Sequence, residues 1–414
     1  MLMFCLENQL DFSIAVSLLS WSGKRIIRHR DRPFGSLWND KSALFTRDER
    51  RTMKAAVLYE KFRPLVVEDL ELDGPKELEV LVKLTASGVC HSDLHYMKGD
   101  RDHPMPVVLG HEGSGIVEEI GSGVTYAKPG DHVVLSFVPT SGHCSYCVKG
   151  RQNLCEARYQ LRGKMLDGTT RLRNGSQEVH HFNGLSTFGE YAVVPEDSLV
   201  KIREDAPLDR VALIGCGVPT GVGAVINTAK VKPGSSVVVI GAGGVGLNVI
   251  QGAVLAGAEA IIAVDIHGNK LEHALQFGAT HLVNAATEDL VEKVKYITRG
   301  EMADYAFEVI GSTDAINQAL LTTKRGGTTV VVGVTPTGAE LTIDPDFLHL
   351  DRVLMGCTYG SVYPRADMPM LIDLYMARRL KLDELISATV RLDQINDAFT
   401  ALDQGEVART IIRY

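Results

Sequence analysis

The stretch that most constrains this chain is a run of glycines between two apolar runs. Residues 236–240 (Ser-Val-Val-Val-Ile) are almost wholly β-branched, residues 241–246 read Gly-Ala-Gly-Gly-Val-Gly, a helical stretch follows to Ala256, and a second apolar run, 260–265, ends on Asp265. Strand, tight turn, helix and strand in that order read as a βαβ unit of a parallel sheet. The turn fits G-x-G-x-x-G. Gly241 makes the turn, Gly243 lets backbone approach a ligand and Gly246 lets helix pack on strand, while Gly244 and Val245 open the helix. Backbone N–H groups at a helix start favour an anion, so a pyrophosphate fits there. Asp265 lies 19 residues beyond Gly246. A carboxylate at that place accepts hydrogen bonds from ribose hydroxyls and repels a 2′-phosphate, which favours NAD over NADP.

The rest of the chain extends this unit. Strand patterns at 305–309 and 328–332 alternate with helical segments, as a doubly wound parallel sheet requires. From Met53 to about Val200 the sequence is instead Gly-punctuated, with short β-rich runs at 80–84, 115–120 and 132–137 that suggest a β-barrel-like domain. A chain of 414 residues exceeds what one core supports, so two domains are expected. After about Leu350 the pattern leaves the parallel sheet and ends in a helix-rich tail around 368–380. The first 52 residues stand apart. Their apolar run 12–21 is too short to span a bilayer, and it follows acidic residues and precedes a basic cluster at 24–32, the reverse of a secretory signal. They are expected to be a disordered extension or the product of a start placed too far upstream.

Hydrophobic residues make up 45% and charged residues 23% of the chain, enough for ordinary cores. A net charge of −8 without a Lys/Arg run argues against a nucleic-acid partner. No membrane partner is expected either. Seven cysteines is an odd number, and the crowding of three into Cys144, Cys147 and Cys155 looks more like metal ligation than a disulfide framework, which suits a reducing, cytoplasmic setting.

Two groups carry metal-binding chemistry. Cys90 and His111 lie 21 residues apart and Cys216 follows far downstream, within Gly215-Cys-Gly217. Two thiolates and one imidazole leave tetrahedral Zn²⁺ an open position, the form expected of a catalytic site. Cys144-x-x-Cys147-x7-Cys155 places three soft ligands in one loop, as in a structural site, but the position three residues before Cys144 is Ser141. A serine hydroxyl is a hard, rarely ionised ligand, so the fourth donor is missing or unidentified, and water or another residue would have to stand in for it. Loss of such a metal should cost loop order and leave the chemistry in place.

With these motifs in view, the chain from Met53 onward resembles the zinc-containing medium-chain dehydrogenase/reductase family, in particular alcohol dehydrogenases of the class I and class III type. The matching segments are Gly-Val-Cys90-His-Ser-Asp-Leu-His95, Leu-Gly-His111-Glu-Gly, Gly-Cys216-Gly-Val-Pro-Thr-Gly and the glycine turn with Val264-Asp265, supported by Gly163-Lys-Met-Leu-Asp-Gly-Thr-Thr170 and Ser186-Thr-Phe-Gly-Glu-Tyr191. The resemblance implies an α/β fold with a GroES-like β-rich catalytic domain (53–218), a Rossmann cofactor domain (219–352) and a C-terminal return to the catalytic domain (353–414).

It further implies Cys90, His111 and Cys216 as ligands of a catalytic zinc, with Glu112 close behind the metal and Asp93 orienting the histidine. Ser92 would take the alcohol proton and His95 relay it. His91, Thr220, Lys270 and Arg409 would contact NAD, with His91 and Arg409 on the pyrophosphate and Lys270 on the adenosine ribose. The implied activity is reversible hydride transfer between a primary alcohol or aldehyde and NAD, by a homodimer or homotetramer. An S-(hydroxymethyl)glutathione or related thiol-adduct dehydrogenase is the nearest alternative. A zinc-free reductase would lack the three ligands, and a non-enzymatic NAD-binding protein predicts their erosion; all three are present.

Overall fold

The computed structural model describes residues 50–405 and 408–414. The expected appendage therefore lies outside the described residues except at its end, where Arg51 and Thr52 already belong to the strand Arg51–Leu58. Regular structure thus starts before Met53. Arg51 pairs with Leu72 across the sheet, and its guanidinium reaches Glu118 at 3.1 Å and lies 4.4 Å over the Tyr191 ring. These partners are remote in sequence, so no pattern around Met53 reveals them.

The β-rich half is built on two sheets. Arg51–Leu58, Val66–Leu72, Leu172–Asn174, Gln177–His181 and Val107–Val108 close into a small barrel. The second sheet runs Leu199–Lys201, His132–Leu135, Gly113–Ile120, Glu79–Val89, Arg409–Arg413 and Ile386–Arg391, with Tyr191–Pro195 also pairing on Glu79–Val89. Val80 and Val82 share one core with Val133 and Leu135, whereas Leu81 joins another, as alternate faces of one strand require. Arg171, fully buried, ties the long loop before it to this sheet: its Nε donates to Glu79 at 2.8 Å and its Nη2 to Asp167 at 2.9 Å.

The other half is a six-stranded parallel sheet in the order His281–Asn284, Ala260–Asp265, Ser236–Ile240, Ala303–Glu308, Thr323–Val331, Val353–Gly356. The chain starts at Ser236–Ile240, winds outward to one side, then returns to build the other, which leaves a crevice at the carboxyl ends of the central strands. Val237, Val238 and Val239 are completely buried, because helices cover both faces of such a sheet. The sheet runs past the expected limit at 352, since Val353–Gly356 pairs with Thr328–Val331. That strand is short and half-exposed at the sheet edge, so it lacks the buried apolar run that marks the others.

Arg409–Arg413 lies between Glu79–Val89 and Ile386–Arg391, so the final strand completes the β-rich half. The helix Gly217–Gly223 joins the two halves and packs on Gly244–Leu255; a Cβ on Gly221 would stand 2.5 Å from the Asn248 Cβ, so only glycine permits this approach. Among the described residues no single helix is long and apolar enough to cross a membrane. A bent pair, Leu208–Gly215 with Gly217–Ala229, meets the length and composition, but Leu213, Val218 and Val222 in it are core residues.

Candidate active site

Cys90 stands where the strand Glu79–Val89 turns into the helix His91–Met97. His111 precedes the strand Gly113–Ile120, and Cys216 sits at the kink between the turn Ala212–Gly215 and the helix Gly217–Gly223. Tyr359 fixes that kink by donating its hydroxyl hydrogen to the Gly215 carbonyl at 2.5 Å. The fold thereby gathers ligand atoms of Cys90, His111, Glu112 and Cys216, all four residues buried, within 4.8 Å of one another.

Asp93 sits beneath the histidine. Its Oδ1 accepts from Gly110 N at 3.0 Å and lies 3.1 Å from His111 Nδ1, so Nδ1 carries the proton and Nε2 is the free donor atom. His111 Nε2 is buried with no hydrogen-bond partner among the described residues. Burial opposes charge on His111, yet Asp93 beside it raises its pKa well above the usual value. The hydrogen bond between the two thiols holds Cys90 well below its ordinary range and pushes Cys216 well above. Two buried sulfurs facing an unpartnered imidazole nitrogen fit a divalent cation, which would let both thiols ionise.

Glu112 lies behind this group, fully buried, with Arg409 Nη2 bonded to its Oε2. Burial pushes its carboxyl up to about 7 even with Arg409 alongside. Arg409 was expected on a pyrophosphate; the structure pairs its guanidinium with Glu112 and lays its stem on the glycine turn, where a Cβ on Gly244 would meet Arg409 Cδ at 2.6 Å. One residue therefore touches both the thiol cluster and the start of the Gly244–Leu255 helix.

The glycine turn is as tight as its sequence implies. Gly241 adopts φ of 106°, and a Cβ on Gly246 would stand 1.8 Å from the Gly241 carbonyl oxygen. Asp265 braces it, accepting from Ala242 N at 2.9 Å and from His267 N at 3.0 Å. Ala242, Gly243, Asn269, Lys270, Ser387 and Ala408 line a cavity beside it. Ser92 and His95 lie three apart on the helix His91–Met97, hence on neighbouring positions of one face. His95 Nδ1 is 2.8 Å from Asp100 Oδ2. His91 is exposed, and Thr220 and Val245 are half-buried.

Sequence reasoning missed the wall around the thiol cluster. Phe137 and Phe182 stand edge-on to His111, with centroids 5.5 and 5.8 Å away. Tyr359 lies 4.1 Å from Phe137, Tyr96 lies 4.9 Å from Phe182, and the Arg158 guanidinium covers Phe137 at 5.4 Å. These residues come from five separate segments and share no motif. His111, found by its own motif, is the one fixed point from which they become visible.

The second cysteine group also assembles. Cys144, Cys147 and Cys155 place their sulfurs within 4.8 Å of one another. Burial pushes the Cys147 thiol up to about 11, while Cys144, against the effect of burial, is drawn down to about 6 by the backbone N–H groups of Glu156, Cys147 and Tyr146. Ser141 Oγ lies among these sulfurs, 3.4 Å from Cys155 and 3.8 Å from Cys147.

Comparison with known proteins gives consistent matches. Residues 76–204 match the alcohol dehydrogenase GroES-like domain and residues 244–377 match the zinc-binding dehydrogenase domain. The S-(hydroxymethyl)glutathione dehydrogenase of Paracoccus denitrificans is 42% identical over 373 residues, 87% of this chain and 99% of that protein. The class-3 alcohol dehydrogenase of Drosophila melanogaster is 44% identical over 373 residues, covering 88% and 98%. Among solved structures, benzyl alcohol dehydrogenase from Acinetobacter calcoaceticus superposes with a TM-score of 0.84 at 36% identity, covering 88% of this chain and 99% of that one.

Proposed function

Because the chain belongs to the zinc-dependent alcohol dehydrogenases of the medium-chain dehydrogenase/reductase family, we propose that it interconverts a primary alcohol bearing an apolar or aromatic body with its aldehyde, using NAD. The observation that carries this reading is the aromatic wall against His111, since half-buried Phe137 and Tyr96, backed by buried Phe182, offer ring surface to the body of a substrate whose oxygen would lie at the thiol–imidazole cluster.

Cys90, His111 and Cys216 would hold the catalytic zinc, and residues 241–246 with Asp265 and Lys270 would hold NAD. When bound, zinc polarises the oxygen of the substrate and NAD accepts the hydride. Asp93 keeps the Nδ1 proton on His111 and so keeps Nε2 free for the metal. Ser92 takes the alcohol proton and His95 passes it on; with the His95 Nδ1 proton donated to Asp100, Nε2 is the nitrogen left to accept. Arg409 neutralises Glu112 behind the cluster, and it lies where a pyrophosphate at the Gly244 helix start would meet it. Asp265, whose carboxylate would repel a 2′-phosphate, favours NAD.

A second reading has specific support. Relatives 42% and 44% identical carry the names S-(hydroxymethyl)glutathione dehydrogenase and class-3 alcohol dehydrogenase, and Arg158 sets a cation on the wall where a carboxylate of a thiol adduct would find it. Initial rates with benzyl alcohol, hexanol, ethanol and S-hydroxymethyl glutathione, each with NAD and NADP, separate the two. The expected result is kcat/KM for benzyl alcohol at least about tenfold above that for the thiol adduct, a difference of about 1.4 kcal/mol, with NAD preferred. The reverse order would move the assignment to the thiol adduct.

The sheet edge supports an assembly of like copies. Val353 is 45% exposed, and Leu348 and Leu350 beside it are 41% exposed. An apolar edge strand with unpaired N–H and C=O groups fits the same strand of a second copy around a twofold axis. The proposal is a homodimer through Val353–Gly356, or a tetramer of two such dimers. Light scattering should give an even multiple of the chain mass for the wild type and a large shift to monomer for Val353→Lys; a wild-type monomer rules this interface out.

A further inference from the structure

We propose that Asp100 and Thr337 are positioning residues that tie the His95 proton relay to the cofactor half. The inference rests on the dehydrogenase reading and deepens it: His95 passes on the substrate's proton whichever alcohol is taken, and these two residues decide how its ring stands when it does so.

Asp100 is placed by the end of the helix His91–Met97. Gly99 takes φ of 74° just beyond it, where a Cβ would stand 2.9 Å from the Phe62 ring, so glycine is required there. Gly99 N then donates back to the Tyr96 carbonyl at 3.3 Å and Asp100 N to the His95 carbonyl at 2.9 Å, the paired bonds of a Schellman turn. This turn folds Asp100 back onto His95, whose Nδ1 lies 2.8 Å from Asp100 Oδ2. A carboxylate can only accept, so Nδ1 carries the proton and the Nε2 lone pair is the site that receives a proton from Ser92. The ring is then an imidazolium beside a carboxylate until the Nε2 proton leaves to water. Neighbouring charges are engaged elsewhere: Lys98 is bonded to Asp403 on the helix Ile395–Asp403, and Asp102 to Lys61.

Thr337 reaches the same turn from across the crevice. Its hydroxyl donates to the Asp100 carbonyl at 3.4 Å. It belongs to the segment that follows Thr323–Val331 at the carboxyl end of the parallel sheet, the edge along which a dinucleotide would lie. The base of that segment is fixed. Val332 N and Gly333 N both donate to the Glu308 carbonyl, at 2.8 and 3.0 Å, and a Cβ on Gly311 would stand 2.3 Å from the Val334 carbonyl oxygen. A shift of the cofactor half therefore carries Thr337 with it, and Thr337 holds the turn that holds the imidazole. At 3.4 Å the bond is long, so closing of the crevice around NAD is the event that would firm it.

The test uses the full-length chain, NAD and whichever substrate of the panel above the wild type oxidises fastest. It measures the single-turnover rate of NADH formation, the Kd for NAD and the solvent isotope effect in deuterium oxide. Expected for Asp100→Ala are a rate lower on the order of tenfold, an unchanged Kd for NAD and a larger solvent isotope effect, because proton transfer becomes the slow event. Asp100→Asn, which keeps an acceptor for Nδ1, should recover part of that rate. Thr337→Val should lower the rate about threefold on its own and add nothing to Asp100→Ala, since it acts through the same turn. Asp102→Ala, on the Lys61 pair, should match the wild type. Should Asp100→Ala fail to fold, Asp100→Asn and Thr337→Val carry the test through the same isotope effect. A wild-type rate in Asp100→Ala, a loss confined to NAD binding, an unchanged solvent isotope effect, or an additive Thr337→Val would each overturn the proposal. A wild type that oxidises nothing in the panel would overturn it together with the dehydrogenase reading, whereas an active wild type indifferent to Asp100→Ala overturns this inference alone.

Discussion

Replacing Cys90 with alanine is expected to lower kcat/KM for alcohol oxidation by more than about 10³-fold and to remove one zinc per chain. Lewis-acid polarisation of the substrate oxygen contributes several kcal/mol to the transition state, and about 4 kcal/mol corresponds to three powers of ten in rate. The loss of metal follows from geometry. Cys90, His111 and Cys216 are all buried around one point, and with one thiol gone the remaining pair cannot hold a divalent ion against water. The variant should still fold, because a smaller side chain at a site that is only 6% exposed costs a modest cavity. The circular dichroism spectrum and metal analysis check this beside the rates. A variant that loses its zinc yet keeps activity within tenfold would refute the placement of the chemistry at this cluster.

Arg409→Met should unfold the protein more readily than any surface change. Glu112 is completely buried and Arg409 is bonded to it. Removal of one member of a buried ion pair leaves an uncompensated charge, which costs about 3 to 5 kcal/mol. The expected fall in Tm is on the order of 5 to 15 °C. Glu112→Gln in the same chain removes the orphaned charge and should restore more than half of the loss. Thermal unfolding of the two single variants and the double variant gives the coupling directly. If the double variant is as unstable as the sum of the singles, the pair is not coupled and the loss has another source.

Much of this site was legible because its chemistry is local in sequence. The glycine turn, Asp265 and the motifs around Cys90, His111 and Cys216 each occupy a few consecutive residues, and the constraints on them (a close backbone approach, a ligand atom at a bend) act over that span. That the sheet is parallel and doubly wound followed from alternating strand and helix patterns for the same reason. Other parts are fixed by partners far away in the chain. Glu112 and Arg409 are 297 residues apart, and the arginine by itself reads as a cofactor contact, with nothing beside it in sequence to mark it as a countercharge. Phe137, Phe182 and Arg158 meet only in the folded molecule. The strand Val353–Gly356 carries too few buried residues to declare itself. At Ser141 the residue type alone argues against a ligand, and only the fold sets its hydroxyl beside the sulfurs of Cys147 and Cys155.

The C-terminal return has a consequence for how the protein is made. The strand Arg409–Arg413 is an interior member of a sheet whose other strands, except Ile386–Arg391, come from residues 79–201. The parallel sheet, contiguous from Ser236 to Gly356, has all its strands available before Arg409–Arg413 is made, while the β-rich half keeps an open gap beside Glu79–Val89 until that strand arrives. Arg409 arrives with that last strand. The countercharge for Glu112 thus arrives after Cys90, His111 and Cys216 have all been made, and the thiol–imidazole cluster acquires its finished electrostatic setting only when Arg409–Arg413 is in place.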